Sequence, residues 1–253
     1  MRWNVALKNV LNVLLVVLTL AWGLPSILLG YERESVTGQE ELQAELRVLL
    51  EQGMENSENV PALLKLAAVY LDLGYGVYVD PAEKKASFNE GARMAKKALL
   101  IHEDSAEAHF LYAANLGSAA ELEGLVSSAL TIQELKRHVH RVLELDETYA
   151  PAHHMLGRLY EELPWLLGGN QAAAGEHLEK AVTLNPLYAP GRLDWAKWLV
   201  KQGHIEEARR ELNVVIEQPP LEKKWIWEQK HRPEAMLLLR QISLETKSVS
   251  SSP

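Results

Sequence analysis

Apolar positions along this chain recur at helical spacing, and the stretches that carry them are divided by Gly, Pro and Asn. Leu42, Leu46, Leu49 and Leu50 fall at steps of four, three and one. They make one apolar stripe on a helix predicted from Gly38 to Glu51 and ended by Gly53. Further along, Gly203 divides a helix at Gly191–Lys201 from one at Ile205–Glu217, and Asn170 is placed to cap a helix at Gln171–Leu184. Asp80-Pro-Ala-Glu83 reads as a capping box with Pro in the first turn, and Asp104-Ser-Ala-Glu107 repeats the acid-x-x-Glu theme. Pro151 and Pro190 also fall in first turns, where the N–H that proline lacks has no helical partner to lose.

Internal repetition sets the fold class. The stretch from Leu145 to Tyr149-Ala-Pro151 reappears at Leu184 to Tyr188-Ala-Pro190, 39 residues on. That boundary resembles the tetratricopeptide repeat, a helix pair of about 34 residues with small residues where its helices touch. A repeat begun at Ala150, with five residues inserted between its helices, puts Gly157, Ala174 and Ala181 at the small positions. Tyr160 and Leu178 take large positions, and Pro186 closes the repeat. One begun at Ala189 needs no insertion and puts Ala196 and Ala208 at small positions, with Leu199, Leu212, Val215 and Pro220 at the others. Weaker copies begin at Pro61, with Ala68 and Ala98, and at Ala106, with Ala113. Small residues let two helices approach while larger ones fill the space around them. The predicted fold is an all-α, right-handed solenoid of four such helix pairs. Its repeats are 61–105, 106–149, 150–188 and 189–220, preceded by a linker or capping helix at 31–60. A C-terminal cap helix at 221–246 carries Trp225 and Trp227, and a Ser-rich disordered tail occupies 247–253.

Composition narrows the function. The chain has 253 residues, a formal charge of -8 and no Cys. The charge argues against nucleic acid, which needs a basic stripe, and the lack of Cys excludes disulfides, thiolate zinc sites and lipid-modified N-terminal cysteine. Arg2 and Lys8 precede an apolar run, Val10 to Gly30, of about the 20 residues that cross a bilayer. It reads as an uncleaved N-terminal transmembrane anchor, the alternative being a signal peptide cut near Ala21-Trp22-Gly23. Either reading sends residues 31–253 across the membrane into a periplasm or its equivalent.

No catalytic motif occurs, so the expectation is a binding protein and not an enzyme, with no cofactor and no metal. His109, Tyr112, His153, Arg192 and Trp195, at matching places on the first helices, are candidate partner-binding residues on the concave face; the competing reading packs them between helices. Trp165 and Leu166, in the insertion Pro164–Asn170, are candidates for the lip of an apolar pocket, against burial over a neighbouring repeat. His153-His154 and the His138, His140 pair lack the four-residue spacing that sets two ligands on one helix face. A metal-dependent enzyme would need His109, His153 and an acid to converge in one cleft.

Three stretches, His109 to Gly117, Tyr149 to Tyr160 and Leu163 to Asn170, resemble the TatT family, the T component of TRAP-type transporters, over about residues 60–220. That resemblance implies a periplasmic helical repeat protein paired with a solute-binding protein and carrying an apolar or carboxylated ligand. The chain departs from lipoprotein members in having no Cys, which leaves any anchoring to Val10–Gly30. A eukaryotic family of microtubule-associated repeat proteins shares a stretch similar to His154-Met-Leu-Gly-Arg158, and the loop fits that family less well. The reading is therefore a membrane-tethered extracytoplasmic scaffold with protein partners, the alternative being an envelope assembly scaffold without small-molecule ligand. Homo-oligomerisation stays open.

Overall fold

The computed structural model describes the backbone of residues 25–124 and 129–250, and the side chains of 38–124 and 130–244. Among the described residues every element is helical. In chain order these are α1 (Pro25–Glu51), α2 (Val60–Asp72), α3 (Pro81–Ile101), α4 (Ala106–Glu123), α5 (Ala129–Leu145), α6 (Ala150–Glu162), α7 (Gln171–Leu184), α8 (Ala189–Lys201), α9 (Ile205–Glu217) and α10 (Arg232–Ser250). Helices α2/α3, α4/α5, α6/α7 and α8/α9 pack as pairs, and α10 lies against α9.

Caps start the helices where local chemistry supplies an acceptor. Asn59 accepts from the amide of Ala62, Asp80 from Ala82 and Glu83, and Asn170 from Ala172 and Ala173. At α4 the cap is Ser105, which accepts from Ala108, and not Asp104, whose carboxylate pairs with Arg141 instead. The connections inside the pairs differ. The first pair is joined through a π-helical turn, Leu73–Val77, the third through a 3-10 turn, Trp165–Leu167, and the fourth by a tight turn around Gly203.

Small residues sit where the helices cross. Ala98, Ala113, Ala174, Ala181, Ala196 and Ala208 are inaccessible to solvent. A Cβ on Gly157 would fall 2.7 Å from Leu178 Cγ, so α6 and α7 approach as closely as they do only because Gly157 has none. Three apolar clusters result. The first joins α2, α3 and α4, the second α4 to α6, and the third runs from α8 through α10 with Trp227. The Trp227 indole also donates to the carbonyl of Val215 at 2.7 Å, which pins the C-terminal segment to α9.

The ends of the array meet. Trp225 lies in a slot between α1 and the π-helical turn, where a Cβ on either Gly38 or Gly76 would come within 2.6 Å of the indole. A second π-helical turn, Trp227–His231, faces the first. Tyr75 Oη and His231 Nε2 are hydrogen-bonded at 3.0 Å, Lys230 donates to the carbonyl of Tyr75, and Lys223 pairs with Asp72 at 2.7 Å. The helical array is thus closed on itself by its last segment.

Two expectations change at the termini. Residues 10–24 of the expected membrane helix lie outside the described residues, and from Pro25 the chain enters α1, which continues to Glu51 with no break at residue 30. Among the described residues the one helical stretch long and apolar enough to cross a membrane is Val60–Val77, and its Leu63, Leu66 and Ala67 are core residues of the first pair. At the other end α10 runs to Ser250, through the start of the segment expected to be a disordered tail.

Candidate binding groove

The first helices of the pairs form an inner wall, and the closed ends turn the space they face into a groove of about 1320 Å³. Which residues face it follows the helix geometry. The second residues of α4, α6 and α8 (Glu107, Pro151, Pro190) line it, as do the fifth (Phe110, His154, Leu193), the sixth (Leu111, Met155, Asp194) and the ninth (Ala114, Arg158, Lys197). Residues spaced by three and four share one helix face, so these form one stripe per helix.

A polar network crosses this wall at Asp194. His154 Nε2 lies 2.8 Å from Asp194 Oδ2, Lys197 donates to Oδ1 at 2.8 Å, and the Arg158 guanidinium is 3.6 Å away. Burial pushes the Asp194 carboxyl up, but the His154 and Lys197 contacts outweigh it and hold the group below the usual carboxylate range. Arg158 also reaches Glu162 at 2.7 Å and Glu121 at 3.2 Å, and Lys197 reaches Glu234 on α10 at 2.8 Å. Helices α4, α6, α8 and α10 are therefore tied through a single set of charges. Six polar side chains are buried among the described residues, and four are histidines: His109, His153, His154 and His231.

The residues singled out from the sequence lie elsewhere. His109, His153 and Arg192 are the fourth residues of α4, α6 and α8, and each turns toward the second helix of its own pair. His109 Nδ1 meets His138 Nδ1 at 2.7 Å, and His153 Nδ1 meets His177 Nδ1 at 2.8 Å. Arg192 pairs with Glu211. All three also bind the carbonyl six residues upstream, on Glu103, Glu147 and Pro186. A carbonyl only accepts, so Nε2 of His109 and of His153 carries a proton. Burial lowers the pKa of both rings and holds His138 and His177 down at about 4. All four are neutral at pH 7, hence His138 and His177 donate from Nδ1 to their partners. The equivalent residues in the first pair are Leu64 and Met94, both in the apolar core. One seam position therefore changes along the array from apolar contact to neutral hydrogen bond to ion pair.

Tyr112, also buried, donates to Glu134 at 2.7 Å, and Trp195 stacks on Trp198 at 5.1 Å. Trp165 and Leu166 are 79% and 74% exposed and stand outside the groove, while their neighbour Leu167 packs into the core and Lys136 holds the carbonyls of Leu167 and Gly168. His109 and His153 bind separate partners and do not converge, and among the described residues no group of three or more His, Asp or Glu could hold a metal ion. The apolar groove residues Phe110, Leu111, Met155 and Leu193, and His154 and Asp194, lie one or two places from those chosen. A shift of one residue turns a helix face by about 100°, and the short Tyr-Ala-Pro signal does not say which face looks inward.

Comparison with known proteins is decisive for the lineage. The family model described as "Regulator of microtubule dynamics protein 1-3" matches residues 32–166. The chain belongs to that family. Regulator of microtubule dynamics protein 3 of Rattus norvegicus is 29% identical over 210 residues, covering 76% of this chain and 44% of that protein. Regulator of microtubule dynamics protein 1 of Pongo abelii is 31% identical over 114 residues, covering 44% and 36%. The chain thus spans less than half the length of these relatives. Among solved structures, a thermophilic TPR protein of Thermus thermophilus superposes with a TM-score of 0.57 at 18% identity, covering 82% of this chain and 98% of that one, which shows a TPR-like fold.

These matches overturn the TatT reading. With it fall the transporter-associated function, the solute-binding-protein partner and the periplasmic, membrane-anchored location, since the family and the relatives are regulators of microtubule dynamics. The misreading has a physical source. Gly157 and the small residues satisfy helix packing that any such repeat needs, so they separate repeat proteins from other folds but not from each other. In the His154-Met-Leu-Gly-Arg158 stretch, His154 and Arg158 do something packing does not require: they hold Asp194 of the next pair.

Proposed function

We propose that this chain is a non-catalytic protein-binding module that contributes to the control of microtubule dynamics by taking a segment of a partner protein into the groove. The observation that carries this reading is the groove itself. Its volume exceeds the roughly 300–1,000 Å³ of small-molecule sites. Its apolar stripe of Phe110, Leu111, Met155 and Leu193 faces inward from the first helices of three successive pairs, and the Asp194 network braces those helices against one another. A braced wall loses little freedom when a partner docks, which favours binding. Family membership and the TPR-like fold support the same reading, and the microtubule connection rests on the names of the relatives alone.

The test removes the chain from cells of its source and restores it, with microtubule growth followed by fluorescence microscopy. Restoration by the native chain is expected, and failure of Ser118→Trp plus Met155→Trp, which fill the groove, provided both proteins melt alike. Full rescue by the filled groove would overturn the groove as the working surface. Unchanged microtubules after removal would overturn the microtubule role.

A further inference from the structure

Charge along the groove identifies the kind of segment it takes. Among the described lining residues there are three bases, Arg158, Lys197 and Lys223, against seven acids. Every base is already engaged: Arg158 by Glu121, Glu162 and Asp194, Lys197 by Asp194 and Glu234, Lys223 by Asp72. Two further acids, Glu107 and Glu222, form no ion pair among the described residues. Both stand where the groove meets a second cavity of about 840 Å³, whose wall adds Glu41 and the Glu45–Lys65 pair. The second residues of α4, α6 and α8 line the groove, and a helix N-terminus counts as roughly +0.5 of a charge. Three of them do not cancel the excess of four acids over bases. The lining is negative over an apolar floor.

We infer that the groove binds a cationic amphipathic polypeptide segment, apolar on one side and carrying Lys or Arg on the other, with its positive residues toward the Glu107 and Glu222 end. This rests on the groove reading above and specifies its partner. The apolar side covers Phe110, Leu111 and Met155, and the cations meet carboxylates that lack one. A helix about 10 Å across rising 1.5 Å per residue occupies roughly 120 Å³ per residue, so about ten residues fill the space. An acidic segment, or a second copy of this chain with its charge of -8, meets repulsion instead.

The probe is a set of three fluorescent twelve-residue peptides with Leu at helical spacing and the remaining positions all Lys, all Gln or all Glu, measured by anisotropy on the full chain. The Lys peptide is expected to bind at least tenfold more tightly than the Gln peptide, to weaken as salt rises, and to be displaced by Ser118→Trp plus Met155→Trp. The Glu peptide is expected not to bind. Glu107→Gln plus Glu222→Gln is expected to weaken the Lys peptide several-fold with only a small drop in melting temperature, from the loss of the first-turn acid of α4. Glu176→Gln plus Glu179→Gln, the same change in net charge on exposed positions outside the groove, is expected to leave it unchanged. Equal binding of the Gln and Lys peptides, lost on filling the groove, would overturn the charge assignment and keep the groove. Equal loss in the two double-Gln proteins would show general attraction to an acidic protein and overturn the site. No binding by any peptide would overturn this inference, leaving the cell experiment to judge the groove.

Discussion

The joints between helices within this array differ in kind from the joint that closes it. Inside the pairs the helix crossings are tight, Gly157 against Leu178 and Ala174, Ala196 and Ala208 with no exposure at all, and the polar seam contacts are few beside them. At the closure an indole sits in a slot between Gly38 and Gly76, and the rest of the contact is polar and partly exposed: Tyr75 with His231, Lys223 with Asp72, Lys230 with a carbonyl. Exposed ion pairs contribute little, about 0–1 kcal/mol each. Buried leucines contribute several times that. The helix pairs therefore carry the stability, and the closure sets the shape of the groove at modest cost to open.

That contrast can be broken most directly at Leu178, which is inaccessible to solvent. Leu178→Ala is expected to lower stability by about 2–5 kcal/mol in denaturant titration, since the cavity beneath Gly157 cannot collapse onto a side chain.

Acidification addresses both kinds of joint together. His138 and His177 in the pair seams and His231 in the closure are each held at about 4 by burial. His138 faces His109 and Tyr112, with Glu134, Arg137 and Lys96 acting on it. His177 faces His153 and Tyr160, with His140 and Lys180 acting on it. A ring whose pKa is lower in the fold than the free value near 6.5 is protonated first in the unfolded chain. Its contribution is present above pH 6.5 and is lost as the pH falls toward 4. The melting temperature is expected to drop by roughly 5–10 °C across that window. His109→Leu plus His138→Met, which copies the apolar pair Leu64 and Met94, is expected to flatten part of the drop. An unchanged slope would place the acid sensitivity outside that seam.

A smaller effect is expected at the closure. Trp225→Ala removes the indole from its slot and is expected to cost about 1–2 kcal/mol globally, below the usual range for a core aromatic because its site is partly open. Hydrogen exchange in α1 is expected to quicken while the pairs α6/α7 and α8/α9 stay protected. A loss as large as that of Leu178→Ala would show that closure and pairs fold as one unit. Least affected should be Trp165→Ser on the exposed loop, within about 0.5 kcal/mol of the native chain by thermal melting.

The all-helical character and caps such as Asn170 and Asp80 were legible in the sequence because each depends on residues within one or two turns of one another. Apolar spacing marks the buried face of a helix. Asn170 caps the turn it begins, and Gly157 marks a crossing wherever its partner comes from. One stretch of sequence even pointed at the right relatives: His154 and Arg158 carry both the second family resemblance and the groove network. The rest was decided between segments far apart in the chain. Whether the fourth or the fifth residue of α6 looks inward depends on the angle at which α8 packs beside it, and that angle sends His153 to His177 and His154 to Asp194. The slot for Trp225 joins residues near 38, 76 and 225, and no local pattern announces it. Local periodicity chose the helices, though not where the first begins or the last ends. The groove, its charge and its closure came only with the fold, because they depend on the relative placement of helices that share no sequence neighbourhood.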